Sequence, residues 1–347
     1  MRFEIEGRLL HFKQPAGTSR GVYLTRKIWL VTLSDGDKTG VGECAPLPDL
    51  SCDAMTDEQY EMLLNQFCEK LCETGQIDYD AMRDYPSMLF GLETALLDLK
   101  NQLSTFNSQL STLFDTAFGR GEVGIPINGL VWMGNYEEML QRMEEKLEKG
   151  FRCVKLKIGA IDFDKELDLV KKIRERFSFH EVELRLDANG GFTYDEALYK
   201  LELLSQYNIH SIEQPIKQGQ WAYMAELCRE SPLPIALDEE LIGVNDPETK
   251  RHMLNIIKPR YIILKPSLHG GMMGCREWIS MANEMGIGSW ITSALESNIG
   301  LNAIAQFASD VYGDNITMPQ GLGTGQLFTD NIPMQLEIRG DKLWLCR

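Results

Sequence analysis

Three acids recur along this chain at almost equal steps: Asp187 in RLDAN, Glu213 in SIEQP and Asp238 in IALDEE, 26 and 25 positions apart. Three carboxylates with no His or Cys among them suit a hard divalent cation. Magnesium fits best and manganese can substitute, the remaining coordination positions going to water and substrate oxygens. One step before the acids stand Lys155 and Lys157 in CVKLK, and 27 positions after Asp238 stands Lys265 in IILKPS. Metal-site acids flanked by amines point to proton removal from a carbon beside a carboxylate. That carbon acid is too weak for a free amine, so the enediolate it forms must be stabilised by a cation. A lysine among other positive charges is the better base at neutral pH. Lys155 and a bound metal would supply those charges for Lys157.

The elements that must position these residues follow from the spacing. About 25 residues is the length of one strand, one helix and two short loops, so each acid occupies the same place in a βα repeat. Strand alternation puts Asp187 on a face with Arg185, Glu213 with Ser211 and Asp238 with Ala236, while Leu186, Ile212 and Leu237 point the other way. Closed into a parallel barrel, such strands converge three carboxylates at the C-terminal mouth, where barrel active sites lie. From a first strand over 124–134, further strands (152–158, 182–187, 209–213, 234–238, 260–265, 287–292) alternate with seven helices, and a short strand over 315–320 completes eight. The predicted fold is therefore α/β, a modified TIM barrel of (β/α)7β form. Strand-like residues 1–35, helices over 56–72 and 86–103, and strand character in the tail add an α+β capping domain. The expected division is a cap over 1–122, a catalytic barrel over 123–320 and a tail over 321–347 that returns to the cap.

The chain has 347 residues, enough for a full barrel with a smaller domain. Its net charge of −16, with no basic run to offset it, argues against nucleic acid and anionic membranes as partners. The expected partner is a small-molecule carboxylate. Eight cysteines form no CxxC pair and lie near no His cluster, as expected of free thiols in a reducing cytoplasm. The N-terminus has no signal-type apolar region, and no apolar run reaches membrane length. The sequence carries no signal of oligomeric state.

Several residues are candidates for supporting roles. Asn189, Gln214 and Glu239 adjoin the ligand acids and read either as second-layer partners or as capping and solvated groups. Ser293 and Ser297 in SALESNIG lie at a Ser-rich turn into a helix, whose free N–H groups suit a substrate carboxylate; simple capping is the other reading. Gly-rich GLGTGQLF (321–328) lets backbone approach a ligand, and without a following GK[ST] it is no phosphate loop. Arg20, in the Gly/Thr/Ser-rich segment 14–21 expected as a mobile loop, is either a solvated arginine or an anion contact.

Taken together, KLK, LDAN, IEQP, LDEE and ILKPS, in that order and spacing, closely resemble the enolase superfamily, specifically its muconate-lactonising subgroup. The resemblance covers essentially the whole chain. It implies that Lys157 is the proton-transferring base, that Lys265 faces it across the ring, and that loops near 14–21 and Leu50–Asp53 fold over the mouth. SALESNIG and QGLGTGQLFTDN further resemble those members that eliminate water from a succinyl-hydroxycyclohexadiene carboxylate in menaquinone biosynthesis. A racemase or epimerase of N-acylamino acids or dipeptides would use the same half-reaction. Dipeptide epimerases of the subgroup carry an Asp-x-Asp pair near the eighth strand, where this chain reads MPQGLGTG. A non-catalytic, metal-stabilised barrel that binds a ligand is the alternative of another class.

Overall fold

A computed structural model describes residues 1–18, 21–104, 112–132, 134–159 and 161–346. The N-terminal region is an antiparallel sheet of β1 (Arg2–Thr18), β2 (Gly21–Asp35) and β3 (Lys38–Cys44), followed by α1 (Asp57–Thr74), the short α2 (Tyr79–Met82) and α3 (Pro86–Ser104). Thr56 starts α1 with a reciprocal capping box to Gln59. Helix α3 lies directly on β3. A Cβ at Gly42 would stand 1.9 Å from the Gly91 carbonyl and one at Gly40 would stand 2.2 Å from that of Ala95, so only glycine permits this approach. Segment 14–18, expected as loop, is instead strand. After a register shift between His11 and Ala16, pairing resumes at Ala16–Tyr23 and runs to Thr18–Gly21, because a long two-stranded arm satisfies backbone groups that a loop would leave to water.

The barrel is a parallel sheet in the order β11-β10-β9-β8-β7-β6-β5. Its strands are β5 (Gly129–Val131), β6 (Cys153–Lys157), β7 (Glu183–Asp187), β8 (Ser211–Glu213), β9 (Ile235–Leu237), β10 (Tyr261–Leu264) and β11 (Gly288–Ile291). Between and after them run α4 (Tyr136–Glu148), α5 (Phe163–Arg176), α6 (Tyr194–Ser205), α7 (Trp221–Glu230), α8 (Pro247–Ile257), α9 (Gly271–Glu284) and α10 (Asn298–Tyr312). The ring closes through an extended pair rather than a full strand over 315–320. Gln320 bridges to Ile127 and Gly321 to Thr292, both in parallel sense. Pro319 has no N–H to give, so pairing begins only at Gln320. The helix-facing residues of the strands form one large apolar core with the helices.

Inside the barrel, below the mouth, Arg185 is fully buried. Its Nε donates to Glu183 (2.7 Å), Nη1 donates to the Pro319 carbonyl (2.9 Å), and the guanidinium lies 4.3 Å from the Trp290 ring. The tail touches both halves of the molecule. Lys13 N–H donates to the Leu327 carbonyl and Thr329 N–H to that of His11, tying the tail to β1. Beyond them the hairpin β12 (Leu336–Arg339) and β13 (Lys342–Leu345) pairs with β4 (Ile125–Pro126), the segment entering the barrel.

Candidate active site

Parallel register places the predicted residues side by side. Lys157 pairs with Asp187 and Asp187 with Glu213 across three neighbouring strands, while Asp238 and Lys265 directly follow β9 and β10. Period-2 alternation turns all of them inward, and Asp187, Glu213 and Asp238 are buried. One oxygen from each of the three lies within 4.8 Å of the others. Glu213 Oε1 is buried with no hydrogen-bond partner among the described residues. An orphaned carboxylate oxygen between two further carboxylates is the donor set a hard cation takes, so these residues fit a metal ion.

Three ammonium groups answer the three carboxylates. Lys155 Nζ contacts Glu213 Oε2 and lies 2.9 Å from Asp187 Oδ2. Lys157 Nζ donates to the same Asp187 oxygen (2.9 Å) and to Asn189 Oδ1 (2.7 Å). Lys265 Nζ is bidentate on Asp238, at 2.6 Å to each oxygen. Strands β6 and β10 are separated by three others, so Lys157 and Lys265 stand on opposite sides of the ring. Burial favours the neutral amine of Lys155, but the charges of Asp187, Glu213 and Asp238 outweigh it and raise its pKa. Burial likewise opposes Asp187 ionisation, yet Lys155 and Lys157 hold its carboxyl well below the usual range. Glu213 is pushed up to about 8, because burial and its neighbouring acids outweigh Lys155.

Among the supporting candidates, Asn189 joins two groups: it accepts from Lys157 and donates through Nδ2 to Glu239 Oε1 (2.9 Å). Gln214 works behind the site. Its Oε1 accepts from the Asp238 and Glu240 N–H groups (3.3 and 3.2 Å) and its Nε2 donates to Glu240, which holds the next strand end in place. Ser293 lines the cavity, its Oγ 2.5 Å from Thr324 Oγ1. Arg20 lies outside the described residues. Leu47 and Leu50 come from the cap, and Leu130, Trp132 and Leu295 add apolar wall from the barrel.

The helix N-terminus at SALESNIG is not open to a substrate carboxylate. Glu43 of β3 fills it, accepting from Ser297 N–H (2.8 Å), Ser297 Oγ (2.5 Å) and Gly300 N–H (2.8 Å), and burial pushes its carboxyl up to about 6. Two more buried charges escaped the sequence reading. Arg26 of β2 donates to the carbonyls of Ala45 (2.5 Å) and Pro46 in the cap, and of Leu295 (3.2 Å) and Ala294 (3.4 Å) in the barrel. Glu296 accepts from Ala294 N–H (2.6 Å) and from Ser267, two residues beyond Lys265. Their only signal in the sequence was a charge inside a mostly apolar run, as in VGECAP for Glu43.

Residues 138–332 match the model described as "Enolase C-terminal domain-like", and residues 19–99 match that of "MenC, N-terminal domain". An o-succinylbenzoate synthase of Desulfotalea psychrophila is 46% identical, with 96% of each chain covered. The chain belongs to the o-succinylbenzoate synthase family of the enolase superfamily. The MenC crystal structure from Desulfotalea psychrophila covers 99% of both chains at 42% identity with a TM-score of 0.81. A second o-succinylbenzoate synthase, from Haemophilus influenzae, is 26% identical over 86% of this chain and 83% of its own. The substrate-liganded L-Ala-D/L-Glu epimerase of Bacillus subtilis shares the fold at 21% identity, with a TM-score of 0.82 over 100% of this chain and 96% of its own.

Proposed function

We propose that this member of the o-succinylbenzoate synthase family dehydrates 2-succinyl-6-hydroxy-2,4-cyclohexadiene-1-carboxylate to 2-succinylbenzoate in menaquinone biosynthesis. The observation that carries the reading is the pair of lysines facing each other across three buried carboxylates, in a cavity to which the cap contributes Leu47 and Leu50. Asp187, Glu213 and Asp238 would hold a magnesium ion, which when bound offsets the negative charge that builds on the substrate carboxylate as the α-proton leaves.

The chain's own groups do the rest. Lys155 lies among the acids and orients the ring carboxylate. Lys157 Nζ, steered by Asn189, takes the α-proton; the C–H electron pair moves into the ring, the C–O bond to the hydroxyl breaks, and Lys157 returns the proton to the departing oxygen. Water and an aromatic ring result, with no oxidant required. Lys265, held by Asp238 on the opposite side, places its positive charge over the face of the developing π-system. Leu130, Trp132 and Leu295 keep the diene out of bulk water, which strengthens each of these charge interactions.

The same reading takes 1–122 as a lid domain, 123–320 as the catalytic barrel and 321–347 as the tail joining them. Eight free thiols support a reducing compartment, the cytoplasm. Among the described residues no helix is long and apolar enough to cross a membrane. The test is an ultraviolet assay of diene aromatisation with and without chelator. Turnover restored by magnesium is expected. Absence of turnover at saturating magnesium refutes the reading, and solvent-deuterium exchange into N-acylamino acids without dehydration would install the epimerase in its place.

A further inference from the structure

The backbone pairing of the barrel wall has a slot. β5 and the closing segment are joined only where Ile127 and Asn128 meet Gln320, and beyond that point no backbone hydrogen bond links β5 to residues 322–324 among the described residues. At this slot the reaction cavity adjoins a second one of about 500 Å³, and Asn128, Leu130, Trp132, Gly323 and Thr324 line both. At Gly323 a side chain could be added without a clash: a Cβ there would lie 3.5 Å from the Asn128 carbonyl oxygen and 3.8 Å from Ile127 Cδ1.

The second cavity is cationic in a chain whose net charge is −16. Arg142, Lys146 and Lys149, spaced i, i+4 and i+7 from α4 into its C-terminal end, face it, joined by Lys13 from β1; among the described residues Glu145 is the one acid in its lining. Arg142 Nη1 donates to the Trp132 carbonyl (3.2 Å), which sets its guanidinium beside the slot. Lys146 is half-buried, with its stem against Gly129 and its ammonium 5.4 Å from the centre of the Phe151 ring. Unlike the ammonium groups of Lys155, Lys157, Lys250 and Lys265, which each hold a carboxylate, its ammonium makes no hydrogen bond or ion pair among the described residues. Burial, with Lys149 nearby, lowers its pKa, and the neighbouring Glu145 offsets this only in part. A half-buried ammonium beside apolar walls, opening onto a reaction cavity, is the arrangement that receives a ligand's carboxylate.

We propose that this side cavity is the subsite for the second carboxylate of a dicarboxylate substrate: the ring carboxylate sits at the acid–lysine cluster, the chain threads the slot between Trp132 and Gly323, and the distal carboxylate ends in the field of Arg142 and Lys146. The assignment rests on the dehydratase reading for the identity of that chain as the succinyl group. Lys146 is then a specificity-determining residue that binds without taking part in the proton transfer.

The test compares inhibition by 2-succinylbenzoate, which has both carboxylates, with inhibition by benzoate, which has one, using the magnesium-loaded enzyme. Lys146→Gln is expected to weaken 2-succinylbenzoate and to raise the diene KM by about tenfold, equivalent to roughly 1.4 kcal/mol, with kcat within twofold and benzoate inhibition unchanged. Lys146→Arg restores the affinity, and Gly323→Leu, which plugs the slot, weakens 2-succinylbenzoate selectively. If Lys146→Gln weakens both ligands equally, or neither, the subsite is wrong. Should the wild-type enzyme fail to turn over the diene, the dehydratase reading falls, and calorimetric titration with the same two ligands still decides whether Lys146 discriminates between them.

Discussion

Replacing Lys155 by Met isolates the electrostatic problem at the centre of this site. The oxygens of Asp187, Glu213 and Asp238 lie within 4.8 Å of one another. At an effective dielectric of 20, two ionised carboxylates at that distance repel by roughly 3–4 kcal/mol, and this repulsion together with burial is what raises the Glu213 pKa. Lys155 is the group that touches two of the three, at 2.9 Å from Asp187 and in contact with Glu213. Methionine matches the stem but removes the charge, which leaves two buried carboxylates short of a partner. The recovered desolvation of the ammonium offsets part of the loss, so the net destabilisation is about 3–5 kcal/mol in chelator. A divalent cation supplies the missing charge directly to the same oxygens. Urea unfolding with chelator and with saturating magnesium reads both quantities: the variant should lie well below wild type without metal and recover much of the gap with it. An equal deficit in both conditions would show that Lys155 does not share its carboxylates with the ion, and the metal assignment would fail with it.

Lys157→Ala should reduce diene turnover by at least about 10²-fold while magnesium binding, followed by calorimetry, persists; retained turnover would remove Lys157 as the base. Arg26→Met leaves four cap and barrel carbonyls without their donor. It should cost about 2–4 kcal/mol in denaturant unfolding and raise the diene KM more than it lowers kcat, since the loops it joins carry Leu47 and Leu295; wild-type stability in the variant would refute the clamp. Glu93 accepts from the first N–H groups of α9, Met272 (2.5 Å) and Met273 (3.0 Å), and burial pushes its carboxyl up from 4.5 to about 8. A raised folded-state value means stability present below about pH 4.5 and lost as pH rises through 8, by up to about 5 kcal/mol. Glu93→Gln lacks that titration, so the stability of wild type relative to the variant should fall across this window, and a pH-independent difference would contradict it.

Much of the candidate site was legible because it is written in register. Parallel strands align the ends of successive repeats, so a constant step of about 25 residues is a direct record of three carboxylates on one rim. Asp187, Glu213, Asp238, Lys155, Lys157 and Lys265 needed only spacing and alternation to be placed together. Segment 14–18 went the other way. Its Gly, Thr and Ser composition signals loop, but pairing across the arm to 21–23 overrides local preference, and that partner is invisible to composition. The helix at SALESNIG shows the same limit, since the sequence offers its N–H groups to any anion and only the fold brings Glu43 of the cap to them first.

What the sequence by itself determined is thus the chemistry of the rim: residue types, their repeat and the face each one takes are local properties, set by backbone geometry within a strand. What only the tertiary structure decided is everything that depends on two distant segments meeting. Arg26 spans the cap and the loop at 294–295, and the slot beside Gly323 exists because pairing with β5 stops at Gln320. Such contacts join residues hundreds of positions apart, and neither partner carries a local preference that names the other.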